Sequence, residues 1–67
     1  MKGGNNMKKY NAYYYEIPEH MTGKVIVRTF ESEDEAGRYC NIVNSDEGYE
    51  DETGKYHYLD WEEIEEV

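Results

Sequence analysis

Carboxylates are the side chains in this sequence that could most readily do chemistry. The chain has 67 residues, with 16 Asp and Glu against 7 Lys and Arg, and a formal net charge of −9. Carboxylates can act as general acids or bases, ligate cations, or present negative charge to a basic partner. Residues 1–30 hold two acids and five bases, a net charge of +3, whereas residues 31–67 hold fourteen acids and two bases, a net charge of −12.

Catalysis by these carboxylates would require a pocket, because burial and neighbouring charges provide the shifted pKa that a general acid or base needs. The acids stand in runs typical of solvated surfaces, and 67 residues form one domain with a small core. Cys40 with His20 or His57 could form a nucleophile and its base, but Cys40 falls among the apolar positions of a predicted helix. We therefore expect a buried thiol, no catalytic residues and no enzymatic activity.

Metal binding would need more ligands than the chain offers. A structural zinc site takes four ligands, usually Cys and His, and the sequence has one Cys and two His. Residues 46–52 are acidic but do not follow the register of an EF-hand calcium loop. We expect no metal site and no cofactor. A single Cys cannot form an internal disulfide, which is typical of a cytoplasmic protein.

The tyrosines between residues 10 and 15 follow Lys8 and Lys9, and aromatic with basic residues is a pattern that binds single-stranded nucleic acid. The net charge of −9 opposes such binding, since it repels phosphates. We therefore expect no direct contact with nucleic acid, and we interpret these tyrosines as a strand that alternates between core and interface.

The acidic C-terminal half is the candidate binding surface. Carboxylates on a surface can form ion pairs with the Lys and Arg side chains that a nucleic-acid-binding protein uses to contact phosphates. The alternative is a solvated surface that keeps the protein soluble. The candidate partner-binding residues are Glu31, Glu33, Asp34, Glu35, Asp46, Glu47, Glu50, Asp51, Glu52, Asp60, Trp61, Glu62 and Glu63.

Two strands are predicted in the first half of the chain. Residues 9–17 are rich in Tyr, and Pro18 ends the run because proline cannot donate to a strand ladder. Residues 24–30 contain a β-branched run and are expected to pair with the first strand as an antiparallel hairpin. Alternation places Val25, Val27 and Thr29 on one face of the second strand, and Ile26 and Phe30 on the other.

A helix is predicted over residues 33–44. Ser32 can accept a hydrogen bond from the Glu35 amide in a capping box, and the acids of the first turn suit the helix dipole. Gly37 costs about 1 kcal/mol relative to alanine, unless it serves close packing on the sheet. The predicted buried stripe is Ala36, Tyr39, Cys40 and Val43.

After the helix we expect an acidic loop and one more strand. Residues 45–54 contain five acids and two Gly and predict a loop. Residues 55–59 predict a third strand that continues to about Trp61 and is followed by a frayed helical tail, with a short helix that begins at Asp60 as the alternative. The predicted fold is α+β, in the order β-β-α-β, with a three-stranded mainly antiparallel sheet and one helix packed on one face.

One helix covers one face of such a sheet, so the other face is predicted to be exposed. An exposed aromatic face is typical of an interface, and a dimer formed through it would enlarge the small core. The face is predicted to carry several of Tyr10, Tyr14, Ile26, Phe30 and Tyr56 or Tyr58.

The first residues are unusual for a folded segment. Codons for Lys-Gly-Gly at positions 2–4 can spell the core of a bacterial ribosome-binding site, and two Asn supply an A-rich spacer before Met7. One hypothesis is that Met7 is the true start and that a translated leader precedes it; the alternative is a tail rich in Gly and Asn. We predict a disordered N-terminal leader over residues 1–8 and a single acidic α+β domain over residues 9–67.

No motif ties the chain to a family, but in kind it resembles the short acidic proteins with which phages bind and disable host proteins, some of which imitate DNA. The resemblance rests on size, charge and the predicted leader. It implies a phage or bacterial inhibitor or modulator that competes electrostatically for the basic surface of a DNA- or RNA-binding host protein, with Tyr residues and Trp61 as anchors.

The alternative function is a small structural or regulatory protein that self-associates, as a homodimer, through the Tyr-rich sheet face. In either case the sequence has no apolar run of the roughly 20 residues that a membrane span requires. We therefore expect a cytoplasmic protein without membrane contact.

Overall fold

The computed structural model describes residues 7–66, which form a three-stranded antiparallel sheet, one helix and a second sheet of two strands. In chain order the elements are strand β1 (Met7–Ile17), a 3₁₀ turn (Pro18–His20), β2 (Thr22–Phe30), helix α1 (Glu33–Asp46), β3 (Tyr49–Glu50), β4 (Tyr56–His57) and β5 (Asp60–Glu66). The α+β class is confirmed, whereas the predicted order β-β-α-β is replaced by β-β-α-β-β-β. Residues 1–6 of the predicted leader lie outside the described residues, and its last two residues belong to β1.

β1 is the central strand of the larger sheet and pairs antiparallel with β2 on one side and β5 on the other. The predicted hairpin of the first two strands is confirmed, with Tyr10 opposite Phe30 and Tyr15 opposite Lys24. The 3₁₀ turn and Met21, which has a left-handed φ of 51°, reverse the chain between them.

A bulge in β2 changes which of its residues face the helix. Ile26 and Arg28 lie opposite neighbouring residues of β1, so Val27 between them is an extra residue. One extra residue shifts the alternation of side chains by one. The prediction that Ile26 and Phe30 share a face is therefore wrong: Phe30 lies against Tyr39 of α1, with ring centroids 5.2 Å apart, whereas Ile26 is 44 % exposed.

The same shift separates Val25 from Thr29, which simple alternation predicts on one face. Val25 packs against the core, while Thr29 pairs with Asn11 of β1 on the other face. There the Thr29 hydroxyl donates to the Asn11 side-chain oxygen at 2.6 Å. The bulge thus lets Val25 and Phe30 both pack on the side of the sheet that faces the helix.

β5 takes the place of the predicted helical tail. Residues 55–59 contain the two-residue strand β4, and a separate strand begins at Asp60 and continues to Glu66. The frayed tail and the alternative terminal helix are both wrong, because this segment pairs with the remaining edge of β1 and so satisfies the backbone hydrogen bonds there. Trp61 adds an edge-to-face contact with Tyr10, at 6.1 Å between centroids.

α1 begins as predicted and ends two residues later than predicted. The Glu35 amide donates to the Ser32 hydroxyl oxygen at 3.2 Å, which confirms the N-cap. Gly48 follows the helix with a φ of +102°, and its amide donates to the Val43 carbonyl at 3.0 Å. The predicted stripe faces inward, with Ala36 and Cys40 buried and Tyr39 and Val43 half-buried.

The segment predicted as a loop over residues 45–54 is only partly a loop. Its first two residues belong to α1, and Tyr49 and Glu50 pair with Tyr56 and His57 as a small antiparallel ribbon, β3–β4. The ribbon packs on the sheet through aromatic contacts with β1, which local sequence signals do not reveal.

α1 and the β3–β4 ribbon cover one face of the sheet and leave the other face uncovered. Between the layers lies a buried cluster of Ala12, Tyr14, Cys40 and Leu59. Three residues predicted on the exposed face pack on the covered side instead, namely Tyr10, Tyr14 and Phe30.

The uncovered face is less aromatic than the sequence predicts. Ile26 lies on it as expected, beside Tyr13 and Tyr15, whose ring centroids are 5.5 Å apart. Tyr56 and Tyr58 lie outside this sheet. Within residues 7–66, no helix has the length and apolar character needed to cross a membrane.

Candidate functional site

The predicted binding residues fall into three groups along the chain, of which the helix-start and β5 groups meet where Glu33, Asp34 and Trp61 line one shallow pocket. Two groups lie at the two ends of α1, which are about 20 Å apart at 1.5 Å per residue. No acid occurs between Glu35 and Asp46, and a base, Arg38, stands there. The groups are Glu31, Glu33, Asp34 and Glu35 at the helix start; Asp46, Glu47, Glu50, Asp51 and Glu52 at the helix end and in the ribbon; and Asp60, Trp61, Glu62 and Glu63 in β5.

The β5 group is largely engaged within the sheet. Lys24 Nζ donates to a Glu62 carboxylate oxygen at 2.5 Å, and Lys8 Nζ lies 3.5 Å from a Glu63 oxygen. Trp61 is half-buried against Tyr10. β5 therefore offers less free charge, and a less accessible aromatic anchor, than the sequence predicts.

The helix-start group serves α1 itself. Asp34 pairs with Arg38 one turn later. Glu33, Asp34 and Glu35 lie in the first turn, where a carboxylate contributes about 0.3–1 kcal/mol through the helix dipole. Among the described residues, Glu31, Glu33 and Glu35 lie in no ion pair, so their charges face solvent.

Asp51 organises the turn between β3 and β4. One of its carboxylate oxygens accepts hydrogen bonds from the Thr53 amide at 2.8 Å, the Thr53 hydroxyl at 2.6 Å and the Lys55 amide at 3.1 Å. The other oxygen lies 2.7 Å from Nε2 of His57. The Thr53 hydroxyl and then His57 hold the pKa of Asp51 well below its usual value.

The prediction that Asp51 belongs to a binding surface therefore misses its structural role. An Asp followed two residues later by Thr and three later by Gly is a turn signature, in which the side chain bonds to the backbone. This turn signature is the sequence signal from which the structural role of Asp51 could have been predicted. His57, predicted as a packing or surface residue, is buried and stacked on Tyr14, with centroids 4.0 Å apart.

Asp46, Glu47 and Glu50 lie close enough to Tyr56 for their charges to act on its phenol, and we call these four residues the hairpin patch. The charges of the three acids, Glu50 most strongly, raise the pKa of the Tyr56 phenol, whose oxygen lies 3.4 Å from a Glu50 carboxylate oxygen. Tyr56 is 47 % exposed. In the described part of the chain, none of these carboxylates lies in an ion pair with Lys, Arg or His.

A groove of about 550 Å³ opens beside the hairpin patch. It runs between residues 13–19, at the end of β1 and in the 3₁₀ turn, and residues 55–58 with Asp60. The stack of Tyr14 on His57 belongs to its wall. We call it the tyrosine groove, because five Tyr residues line it.

The tyrosine groove has an acidic character. Glu16, Glu19 and Asp60 line it against a single base, Lys55. Burial, and then the charges of Asp51 and Glu16, raise the pKa of the Tyr14 phenol at the wall. The groove therefore combines aromatic rings with negative potential, an arrangement that favours a cation.

Cys40 is buried, as the sequence predicts, and burial followed by the charge of Asp60 raises the pKa of its thiol. Its Sγ lies 3.7 Å from the Asp60 carbonyl oxygen. Within residues 7–66 no hydrogen bond joins the thiol to His20 or His57. The described geometry thus gives Cys40 the environment of a core residue.

Over the same residues, no three side chains of His, Cys, Asp or Glu are grouped to hold a metal ion. Comparison with protein-family models, curated proteins and solved structures finds no match to this chain. Its function is therefore inferred from the hairpin patch and the tyrosine groove.

Proposed function

We propose that this protein is a small acidic protein-binding module whose hairpin patch contacts the basic surface of another protein. The supporting observation is the patch itself, in which exposed Tyr56 contacts Glu50 and feels the charges of Glu47 and Asp46, and in which none of the three carboxylates lies in an ion pair among the described residues. Charges of this kind are free to complement a partner, and Tyr is enriched among the residues that dominate interfaces. Asp46, Glu47 and Glu50 supply the charge, and Tyr56 supplies the anchor.

The partner that we propose is a DNA- or RNA-binding host protein, and the module acts on it as a phage or bacterial inhibitor or modulator. Its carboxylates would occupy Lys and Arg side chains that otherwise contact phosphates. The helix-start group is a second contact about 20 Å from the hairpin patch, which is about six base-pair steps of 3.4 Å. Two acidic groups at the two ends of α1 would complement two basic sites on one partner rather than one continuous row of basic residues.

Binding without catalysis is proposed for a physical reason. The carboxylates of the hairpin patch and of the helix start are exposed, whereas a catalytic carboxylate needs burial or neighbouring charges that shift its pKa. The Asp51 carboxylate is held in a hydrogen-bond network, in which it already accepts from Thr53, Lys55 and His57. A group saturated in this way has little capacity left for a substrate.

Affinity capture with DNA as competitor tests the proposal. The protein is immobilised and exposed to nuclease-treated lysate of a Gram-positive bacterium, and bound proteins are displaced with duplex DNA at low salt. We expect a basic nucleic-acid-binding protein to be retained and DNA to displace it. Retention that DNA does not affect would contradict competition for the phosphate-binding surface.

A second candidate function, self-association as a homodimer, is favoured by the exposure of Ile26 on the uncovered face. Tyr13 and Tyr15 flank it, but Lys24 and Glu62 bridge the same face. Sedimentation equilibrium of wild type and Ile26→Ser tests this function. A dimer that survives high salt and is lost in the variant would support it, whereas a monomer in both would exclude it.

A further inference from the structure

The tyrosine groove has a chemistry that the contact at the hairpin patch does not use. Five Tyr, three acids and one Lys line it, so its charged groups sum to a negative value. Its volume of about 550 Å³ falls within the range of about 300–1,000 Å³ typical of ligand sites. Tyr56 belongs to both the groove and the hairpin patch, so a partner on the patch also reaches the groove.

We infer that the tyrosine groove receives an arginine side chain from an extended segment of the basic partner. This inference rests on the proposed function, because it names the part of that partner that enters the groove. Tyrosine rings provide faces for the guanidinium plane, and Glu16, Glu19 and Asp60 provide carboxylates that can accept its hydrogen bonds.

The protein already places cations on its own aromatic rings. The Lys24 ammonium lies 4.4 Å from the centroid of the Tyr13 ring, on the uncovered face. The Arg28 guanidinium lies 5.1 Å from the Phe30 centroid and 5.7 Å from that of Tyr39. Aromatic side chains of this sheet are thus positioned as cation acceptors.

Tyr58 is the ring best placed for a cation from outside. It is 76 % exposed and lines the groove close in sequence to Asp60. An arginine fits better than a lysine, because its planar fork can stack on a ring and donate to a carboxylate at the same time. The hairpin patch would then bind further basic residues of the same segment.

Titration of the ¹⁵N-labelled full chain with a blocked Gly-Gly-Arg-Gly-Gly peptide tests the inference. The matched probe carries citrulline, a neutral side chain of the same shape. We expect the arginine peptide to shift the amide resonances of residues 13–17, Glu19 and residues 55–58, and to bind more tightly than the citrulline peptide. Equal binding of both peptides, or shifts confined to other residues, would overturn the inference.

Variants locate the contact. Tyr58→Ala is expected to weaken arginine-peptide binding roughly two- to fivefold, the range for a cation–π contact at an exposed site. Glu16→Gln with Glu19→Gln should weaken it further. The control, Glu63→Gln with Glu65→Gln, removes the same charge from exposed positions of β5, outside the groove, the hairpin patch and the helix-start group, and should leave the dissociation constant unchanged. Equal losses in all variants would mean that net charge alone drives binding, against the inference.

The outcomes separate the groove from the proposed function. If the arginine peptide does not bind the groove while a basic protein is still captured and displaced by DNA, the inference fails and the proposed function stands. If the peptide binds but no basic protein is captured, the groove is an arginine site and the proposed function fails.

Discussion

At the scale of single residues, Asp51 illustrates how neighbours remove a carboxylate from an acidic surface. It stands between Glu50 and Glu52 in the sequence and has the same charge as they have. Its oxygens nevertheless accept hydrogen bonds from Thr53 and the Lys55 amide within the turn, and one lies beside His57. Such a carboxylate stabilises the fold only while it is ionised.

The stability of the protein should therefore fall when Asp51 becomes protonated. Because the pKa of Asp51 is lower in the folded state than the unfolded value of about 3.9, its contribution is complete above that pH. The contribution is lost as the pH falls below about 4 toward the folded pKa. Asp51→Asn should melt at a lower temperature than wild type near pH 6, and the difference should shrink on acidification toward pH 2, as followed by circular dichroism.

The neighbouring acid provides the control for this pH experiment. Glu52→Gln removes a charge one residue away, at an exposed position that makes no ion pair among the described residues. Its melting temperature should stay close to that of wild type throughout the same pH range. A difference between wild type and Asp51→Asn that did not change with pH would contradict the ionised role of Asp51.

Asn44 joins the helix to the chain that leads into β5. Its side-chain nitrogen donates to the Leu59 carbonyl at 2.9 Å, and its side-chain oxygen accepts from the Leu59 amide at 2.8 Å. Asn44→Ala leaves the amide and the carbonyl of buried Leu59 without these partners. It should therefore lower the free energy of unfolding in urea by about 1–3 kcal/mol. Asn41→Ala, at an exposed position of the same helix, should change it by less than about 0.5 kcal/mol. Similar losses in both variants would argue against a stabilising role for the hydrogen bonds between the Asn44 side chain and the Leu59 backbone.

At the scale of elements, two glycines near α1 should respond in opposite directions to alanine. A Cβ at Gly37 would lie 3.6 Å from the Trp61 indole nitrogen, an ordinary contact, whereas a Cβ at Gly48 would lie 2.7 Å from the His57 carbonyl oxygen. Gly37→Ala should raise the free energy of unfolding by about 0.5–1 kcal/mol, because alanine is the better helix former. Gly48→Ala should lower it by about 1–3 kcal/mol, since φ there is +102°.

Urea unfolding of the two variants distinguishes the reasons for these glycines. The sequence left open that Gly37 serves close packing on the sheet. Destabilisation by Gly37→Ala would support the close-packing interpretation and contradict our prediction that alanine stabilises the helix. A neutral Gly48→Ala would mean that the end of α1 can relax away from β4.

The elements were predictable from the sequence where their signals are local. Pro18 at the end of β1 and the Ser32 cap are of this kind, and both elements begin or end close to the predicted residues. The bulge at Val27 was not predictable, because it depends on pairing with β1 rather than on the residues of β2 alone. Most of β5 was not predicted, because acidic residues are uncommon in strands. This segment becomes a strand through its pairing with β1.

The candidate site was predictable in composition but not in arrangement. The sequence identified the acidic residues, yet Glu62 is held by Lys24 across the sheet and Asp51 by its own turn. Tertiary structure brings Lys24 to Glu62, so no pattern of charges along the chain distinguishes Glu62 from Asp46 or Glu47, which lie in no ion pair among the described residues. Asp51 differs, because its bonds to Thr53 and Lys55 are local and its turn signature stands in the sequence.

At the scale of the whole molecule, the uneven distribution of charge produces two unlike edges of the sheet. β2 carries Lys24 and Arg28, whereas β5 carries mainly acids. Dense like charge on an outer strand opposes pairing with the same strand of another copy. The negative field of the acidic half would attract the proposed basic partner from a distance, and such attraction weakens with added salt.

Salt elution of the captured partner from matched columns tests the central claim most directly. The columns carry wild type, a hairpin-patch variant (Asp46→Asn, Glu47→Gln, Glu50→Gln) and a helix-start variant (Glu31→Gln, Glu33→Gln, Glu35→Gln), so that both variants lose three charges. We predict that the partner leaves the hairpin-patch variant at clearly lower salt than wild type, with a smaller decrease for the helix-start variant. Equal decreases for the two variants, or retention that does not depend on salt, would contradict a binding surface at the hairpin patch.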